Sequence, residues 1–394
     1  MLKEIFAPEQ YLPGNTLELV ASGNHFFERL IQLINEAKQQ IHFQVYIFDE
    51  DDTGRAIAAA LKNAAARGVA IFLAVDSYGS KSLSPAFIAD LKRSGVHFKL
   101  FSPLPKHFFV FRVGRRLHNK VMIADNAVAL VGGINIADKY HGTASEAPWL
   151  DFAVGIKGPV CVDLSRICER IYREKYFGKL KSQGRPMPVV HSGTMRSRFV
   201  LNDWFRRKNQ IGAGYRAAVE QAQQSITIMA SYFLPNRSLR NALKKAAQRG
   251  VKVLVLLPGE SDLPMAKRAT RYLYQWLLRN NIGIFEWHES ILHGKMAVVD
   301  NKWVTIGSYN LNHLSQYSSI EMNIEVLDES FGASAQERLF QLMQQSTPVT
   351  TESFKPFHGP LNKFLDWASY TLGRWIMKLL FLAVKRENRF HSDE

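Results

Sequence analysis

"LHNKVMIADNAVALVGGIN", Leu117–Asn135, and "LHGKMAVVDNKWVTIGSYN", Leu292–Asn310, are one phrase written twice. In each, a histidine (His118, His293) is followed by lysine at +2 (Lys120, Lys295) and aspartate at +7 (Asp125, Asp300). Glycine stands at +14 (Gly132, Gly307), then Gly133 or Ser308, then asparagine at +17 (Asn135, Asn310). The stretches "ADNA" and "VDNK" supply turn chemistry, so each phrase reads as strand, turn, strand. A period-2 strand puts histidine and lysine on the same face. Asp125 and Asp300 fall in the turns, where an aspartate fixes the chain rather than meets a substrate. The glycine allows close approach of backbones, and the asparagine can then point back toward histidine and lysine.

The repetition reaches beyond the two phrases. "AAARGVAIFLAV" in the first half and "AAQRGVKVLVLL" in the second are nearly the same sentence. Around them each half reads helix, strand, helix, strand, with continuous Val/Ile/Leu runs in the strands. Such strands are covered on both faces, as in an α/β sheet with helices on each side. The expected fold is therefore α/β, with two lobes related by a pseudo-twofold. Domains are expected at 1–195, 196–345 and 346–394, with a Gly-, Pro- and Arg-rich linker around Lys179–Gly214.

Two copies can meet across the pseudo-twofold. One pocket would then hold His118, His293, Lys120, Lys295, Asn135 and Asn310. That set suits a phosphodiester. Lysine and asparagine can bind the non-bridging oxygens and stabilise transition-state charge. One neutral imidazole can attack phosphorus while the other, protonated, donates to the leaving oxygen and later deprotonates the acceptor. A lone His-x-Lys on a strand is usually an accident of the surface; two with matched offsets are not. Carboxylates bonded to the far ring nitrogens would fix orientation and tautomer. Asp151 in "WLDFAV" follows the first phrase and Glu321 in "SSIEMNIEV" follows the second, each a candidate partner for the histidine of its own phrase.

Composition bounds the partners. A chain of 394 residues with 46% hydrophobic and 22% charged content is that of an ordinary globular protein. Its net charge of +15 points to an anionic partner. The two cysteines, Cys161 and Cys168, share a helix face and read as buried thiols. No Cys/His cluster suggests a metal, and no cofactor is expected. The N-terminal stretch lacks the pattern of an export signal, and no uncharged apolar run reaches about 18 residues. Peripheral attachment to the cytoplasmic face of the cell membrane is the expectation.

On these residues the chain resembles the phospholipase D superfamily. His118, Lys120, Asp125, Gly132, Gly133 and Asn135 match its HKD motif, and His293, Lys295, Asp300, Gly307, Ser308 and Asn310 match the second copy. The flanks "LVGGINIADKY", "LDFAVGIKGPV" and "IGSYNLNHLSQYSSIEMNIEV" resemble the bacterial cardiolipin synthase branch, among its shorter members. The resemblance implies the two-lobed phospholipase D fold with the active site at the lobe interface. It implies metal-independent phosphatidyl transfer through a phosphohistidine, with phosphatidylglycerol as acceptor. His118 would be the nucleophile and His293 the acid and base. Asp125 and Asp300 would be structural.

Three stretches bear on the partner. "KHFFVFRVGRR" (Lys106–Arg116) reads as a basic, aromatic loop, and "MAKRATRYLYQWLLR" (Met265–Arg279) as a helix of the same character. "FLDWASYTLGRWIMKLLFLAVKR" (Phe364–Arg386) is too charged to span a bilayer and very apolar for a tail, so an interfacial helix is expected. Phospholipids and an anionic membrane surface are the expected partners. Nucleic acid is the disfavoured one, and oligomeric state is not legible. The rivals are a hydrolytic phospholipase D and a nuclease-type phosphodiesterase of the same superfamily. A non-catalytic lipid-binding protein would not need a second matched histidine.

Overall fold

The computed structural model describes residues 4–103, 115–173, 191–203, 206, 208–312, 315, 319–357, 359–373 and 375. In the first lobe the strands are β1 (Leu12–Ala21), β2 (Gln40–Val45), β3 (Ala70–Asp76), β4 (His97–Phe101), β5 (Arg116–Leu117), β6 (Lys120–Ala124), β7 (Val128–Gly132) and β8 (Phe152–Lys157). In the second they are β9 (Met195–Asp203), β10 (Lys208–Asn209), β11 (Ser225–Ala230), β12 (Lys252–Pro258), β13 (Gly283–Trp287), β14 (Lys295–Val299), β15 (Trp303–Gly307), β16 (Ser319–Leu327) and β17 (Thr347–Val349).

The first sheet runs β4-β3-β2-β6-β7-β8-β1, parallel from β4 to β2 and antiparallel thereafter. The second runs β17-β13-β12-β11-β14-β15-β16-β9, with the same parallel core flanked by antiparallel strands. The repeat in sequence is thus a repeat in topology. Each HKD phrase is the β6–β7 or β14–β15 hairpin at the centre of its sheet.

Helices Asn24–Glu36 and Asp52–Ala66 cover the outer face of the first sheet and bury Leu30, Ile34, Ile57 and Leu61 against Ile41, Val45 and Leu73. Gln210–Gln221 and Arg237–Gln248 do the same for the second, around Ile226, Val253 and Val255. On the inner side the two sheets share one core, in which Val121, Val131 and Val154 meet Met296, Val304 and Met322. The lobes are held by hydrophobic burial across this seam. Helices Val160–Arg173 and Glu329–Gln344 fill the same inner layer, and both cysteines face it, fully buried. Burial pushes the Cys161 thiol up to about 12.

The expected linker at Lys179–Gly214 needs correction. Residues 174–190 lie outside the described residues, but Met195–Asp203 is a strand, β9, and a helix begins at Gln210. β9 pairs from Arg196 to Asp203 with β16 and touches β1 at Leu12↔Ser197 and Asn15↔Met195, so it stitches the two sheets together. Its arginines read as linker composition, yet Arg198 is bound to the buried Glu325 at 2.7 Å and Arg196 to the carbonyl of Pro8.

Asp125 and Asp300 sit in the hairpin turns with Asn126 and Asn301, all four at positive φ. Asp and Asn tolerate that region, which a turn with two left-handed central residues requires. Their carboxylates do not face the cleft. Asp125 accepts from the backbone N–H of Lys38, Gln39 and Gln40, and Asp300 from those of Gln223, Gln224 and Ser225. Each therefore fastens the connection between its lobe's first helix and the following strand. Asp125→Ala is expected to cost roughly 1–3 kcal/mol of stability, since charged hydrogen bonds are lost but the partly exposed N–H groups regain water. Urea unfolding measures it; an unchanged midpoint would contradict the role.

Candidate active site

The order of strands decides who meets whom. Within one lobe Asp151, at the start of β8, is two strands from the β6 histidine end, about 10 Å at ordinary strand spacing. Across the lobes the distance closes. β5, which leads into His118, pairs in parallel with β16 at Ser319↔Arg116 and Ile320↔Leu117, and the His118 N–H donates to the Ile320 carbonyl at 3.0 Å. In the place related by the pseudo-twofold Leu150 bridges Leu292, and the N–H groups of His293 and Gly294 donate to the Leu150 carbonyl at 2.8 and 2.9 Å. Each histidine is therefore laid beside the carboxylate of the opposite lobe.

The side chains follow. His118 Nδ1 is 2.8 Å from Glu321 Oε2, and His293 Nδ1 is 2.6 Å from Asp151 Oδ2. Pairing each carboxylate with the histidine of its own phrase is thus corrected: the dyads are crossed. Both carboxylates are buried, and each accepts a second bond that fixes its rotamer. The Phe152 N–H donates to Asp151 Oδ1 at 2.7 Å, and Ser308 Oγ donates to Glu321 Oε2. The two motifs differ here for a packing reason. A Cβ on Gly133 would stand 2.4 Å from Asp151 Oδ1, so only glycine fits beside the short carboxylate. The longer Glu321 leaves room for a serine, whose hydroxyl it uses. Gly132 and Gly307 let the next strand approach, because a Cβ there would meet the Phe152 or Met322 carbonyl at 2.4 or 2.2 Å.

With Nδ1–H donated to a carboxylate, the free lone pair of each imidazole is on Nε2. His118 keeps 16% of its side chain exposed and His293 9%. Burial lowers the pKa of His118, although Glu321 pulls the other way, and burial with the charge of Lys295 lowers His293 to about 4. Burial raises Asp151, but Lys295 and His293 outweigh it and hold the carboxyl below its ordinary value. The lysines are also dehydrated: Lys120 falls to about 7 and Lys295 to about 8, with burial the largest cause in each. Lys120 Nζ donates to the His118 carbonyl at 2.6 Å, and Lys295 Nζ donates to the carbonyl of His293. Each histidine feels the charge of the other motif's lysine, so the two sets share one cleft.

The asparagines do not reach their own histidines. Asn135 Oδ1 accepts from the Ile47 N–H at 3.0 Å, and its Nδ2 donates to the Tyr140 hydroxyl at 2.8 Å. Asn310 Oδ1 accepts from Ser231 Oγ at 2.7 Å. Both side chains are pinned at the ends of the neighbouring strands, and Asn135 meets the cleft through the Tyr140 hydroxyl.

Several residues of the site were not read from the sequence. Tyr46 lies edge-on to His118 at 4.8 Å and beneath Lys120 at 5.2 Å. Asp76 accepts from the Leu117 N–H at 2.8 Å and from Arg116 at 3.2 Å, anchoring β5 just before His118. Tyr140, from the first lobe, stands edge-on to His293 of the second, its hydroxyl 3.5 Å from Nε2. Because that oxygen already accepts from Asn135, its own proton is free to point into the cleft. A tyrosine five residues after the motif asparagine, on the short helix Asp138–His141, was the available signal. Tyr140→Phe is expected to lower kcat about tenfold, the worth of one well-placed hydrogen bond, and to cost roughly 1–3 kcal/mol of stability as the buried Asn135 amide loses its acceptor. An unchanged pH–rate profile with unchanged kcat would exclude a role in positioning His293.

Other histidines of the chain have other surroundings. His42 is buried and stacks on Phe72, His141 bonds Thr53 and Asn24, and His288 lies 3.8 Å from Glu286. His107 and His313 lie outside the described residues, as does most of Lys106–Arg116.

A family described as "Cardiolipin synthase, PLD-like domain" matches twice, at residues 30–151 and 215–343. The chain is 32% identical over 346 residues to cardiolipin synthase B of Salmonella typhi, covering 87% of this chain and 84% of that one. It is 30% identical over 354 residues to cardiolipin synthase B of Escherichia coli K12, with the same coverage. Among solved structures, the phosphatidylserine synthase of Haemophilus influenzae Rd KW20 superposes with a TM-score of 0.73 at 14% identity, over 94% of this chain and 98% of that one, a likeness of fold.

Proposed function

The chain belongs to the phospholipase D superfamily, in its cardiolipin synthase branch, and from that premise we propose that it moves a phosphatidyl group onto phosphatidylglycerol through a covalent phosphohistidine. One observation carries the reading: two histidines share a cleft, each with Nδ1 held by a buried carboxylate of the opposite lobe and Nε2 left for chemistry.

At rest, burial favours the neutral form of both imidazoles. An entering phosphodiester brings negative charge, which favours protonation of one of them and of Lys120 and Lys295. His118 Nε2 forms a bond to phosphorus; the bond to the leaving alkoxide breaks, and His293 gives that oxygen its proton. In the second half His293 takes the proton of the acceptor hydroxyl, whose oxygen attacks phosphorus as the P–N bond to His118 breaks. Glu321 and Asp151 hold the two rings and stabilise each as it gains positive character. Lys120, Lys295 and the amide nitrogen of Asn310 bind the non-bridging oxygens. The donor would be a phospholipid in an anionic membrane, on its cytoplasmic face.

The test is lipid mass spectrometry after incubating purified protein with phosphatidylglycerol and phosphatidylethanolamine vesicles. Cardiolipin made by the wild type and by neither His118→Ala nor His293→Ala supports the proposal. Phosphatidic acid alone would replace transfer with hydrolysis. No lipid product would overturn the reading and turn attention to nucleic-acid diesters.

A further inference from the structure

The C-terminal helical stretch, residues 360–373, has two unlike sides. Asp366 is 1% exposed and lies between Arg268, at 3.4 Å, and Arg271, at 4.0 Å. Tyr370 stacks on Tyr272 at 4.7 Å. The stretch is thus clasped to helix Pro264–Tyr272 by an ion-pair pocket and an aromatic stack. At 100° per residue, Leu361, Phe364 and Leu372, with Trp375 beyond, lie on the arc opposite Asp366 and Tyr370. They are 70, 59, 52 and 58% exposed, and Trp367 at the edge of the arc is 47% exposed. A soluble protein seldom presents so many large apolar groups on one helix face.

The clasp also fixes where this face lies. Helix Pro264–Tyr272 follows the loop that ends β12, and that loop carries Asp262, which accepts from the Tyr232 hydroxyl at 2.7 Å and whose charge reaches Lys295. Leu263 and Met265, on the way from that loop to the clasp, are 52 and 47% exposed. Exposed apolar side chains thus stand both near the rim of the catalytic cleft and on the C-terminal helix clasped beside it. On the other lobe, Tyr78 is 55% exposed just beyond Asp76, the residue that anchors the approach to His118. Lys81 lies 6.0 Å from its ring. Lys363 is exposed and Lys267 partly so. Glu260 and Asp262 are exposed acids at the cleft end of this surface, and Asp262 is bonded to Tyr232.

We propose that the arc Leu361, Phe364, Leu372 and Trp375, continued by Leu263 and Met265, is the surface that seats the enzyme in an anionic bilayer interface. This rests on the phospholipid reading above and names the part that meets the membrane. Aromatic rings and leucines enter the acyl boundary, lysines stay with the head groups, and the clasp holds the cleft rim against the layer that supplies its substrate. The expected stretch Met265–Arg279 is thereby corrected. It is two helices, broken at Leu273. Its buried Tyr274 bonds Glu286, and Arg268 and Arg271 serve the clasp. Of Phe364–Arg386, residues 374 and 376–386 lie outside the described residues.

The test uses the full chain, wild type and Phe364→Asp/Trp375→Asp, with phosphatidylcholine vesicles with and without phosphatidylglycerol, and short-chain phosphatidylglycerol below its micelle concentration. The double variant should bind mixed vesicles at least about tenfold more weakly and turn over the short-chain lipid at the wild-type rate. Phe364→Ser/Trp375→Ser serves the same purpose should the charged pair fail to fold. Wild-type binding by a folded variant overturns the surface. So does a fall from dimer to monomer in sedimentation without loss of vesicle binding, which would give the face to a second copy. Wild-type vesicle binding without transfer to any phosphatidylglycerol overturns the enzymatic reading and leaves the surface standing.

Discussion

His118→Ala and His293→Ala will each lower phosphatidyl transfer by about four orders of magnitude, and they will fail at different steps. The difference appears with a short-chain phosphatidyl ester of p-nitrophenol, whose leaving group departs without a proton. In His293→Ala the proposed nucleophile, its carboxylate Glu321 and both lysines are intact, so the P–N bond should still form. No base remains to activate the acceptor, and the phosphoenzyme accumulates. Intact-protein mass spectrometry should show the phosphatidyl adduct on His293→Ala and none on His118→Ala. Adduct on the opposite variant would exchange the two roles. Adduct on neither, with nitrophenol still released by the wild type, would remove the covalent intermediate. The double variant should be no worse than the poorer single one, because the two histidines act on one reaction as a unit.

Much of this site was legible in the sequence because the chain repeats itself. Matched offsets identified His118, Lys120, His293 and Lys295. Turn chemistry placed Asp125 and Asp300 away from the substrate, which their backbone contacts bear out. Asp151 and Glu321 were found by type and position, but their partners were assigned to the wrong halves. That error has a physical source: sequence proximity follows the sheet order within one lobe, whereas the histidines are set by pairing between lobes, at Ile320↔Leu117 and Leu150↔Leu292. No local period carries that information. Tyr46, Asp76 and Tyr140 were missed for a related reason. Tyr46 and Asp76 look like ordinary strand-end residues until β5 and β6 are laid beside them, and Tyr140 like an ordinary helix residue until the opposite motif meets it. β9 was read as linker because its arginines, bound to Glu325 and to backbone, outweighed its alternation in a reading by composition.

The crossed wiring makes a sharper claim than the presence of two dyads, and isosteric amides test it. Asp151→Asn should lower transfer by about three orders of magnitude, since the amide cannot stabilise an imidazolium and can turn a donor toward Nδ1. Its shape suits the narrow space beside Gly133, so the fold should hold, and an unchanged melting temperature checks this. Glu321→Gln should cost a similar factor. With the nitrophenyl ester the two variants then separate. Glu321→Gln impairs His118, so formation of the phosphoenzyme slows in rapid-quench measurements. Asp151→Asn impairs His293, which this substrate does not need as an acid, so the phosphoenzyme forms at near the wild-type rate and its transfer to phosphatidylglycerol slows. Wiring along the sequence would produce the reverse assignment, with Asp151→Asn slowing adduct formation. The expected result has a structural consequence as well: each lobe carries a histidine and the carboxylate for the other one, so neither half of the chain holds a complete dyad, and the seam of Val131, Val154, Val304 and Met322 that joins the sheets is as necessary to catalysis as the histidines it aligns.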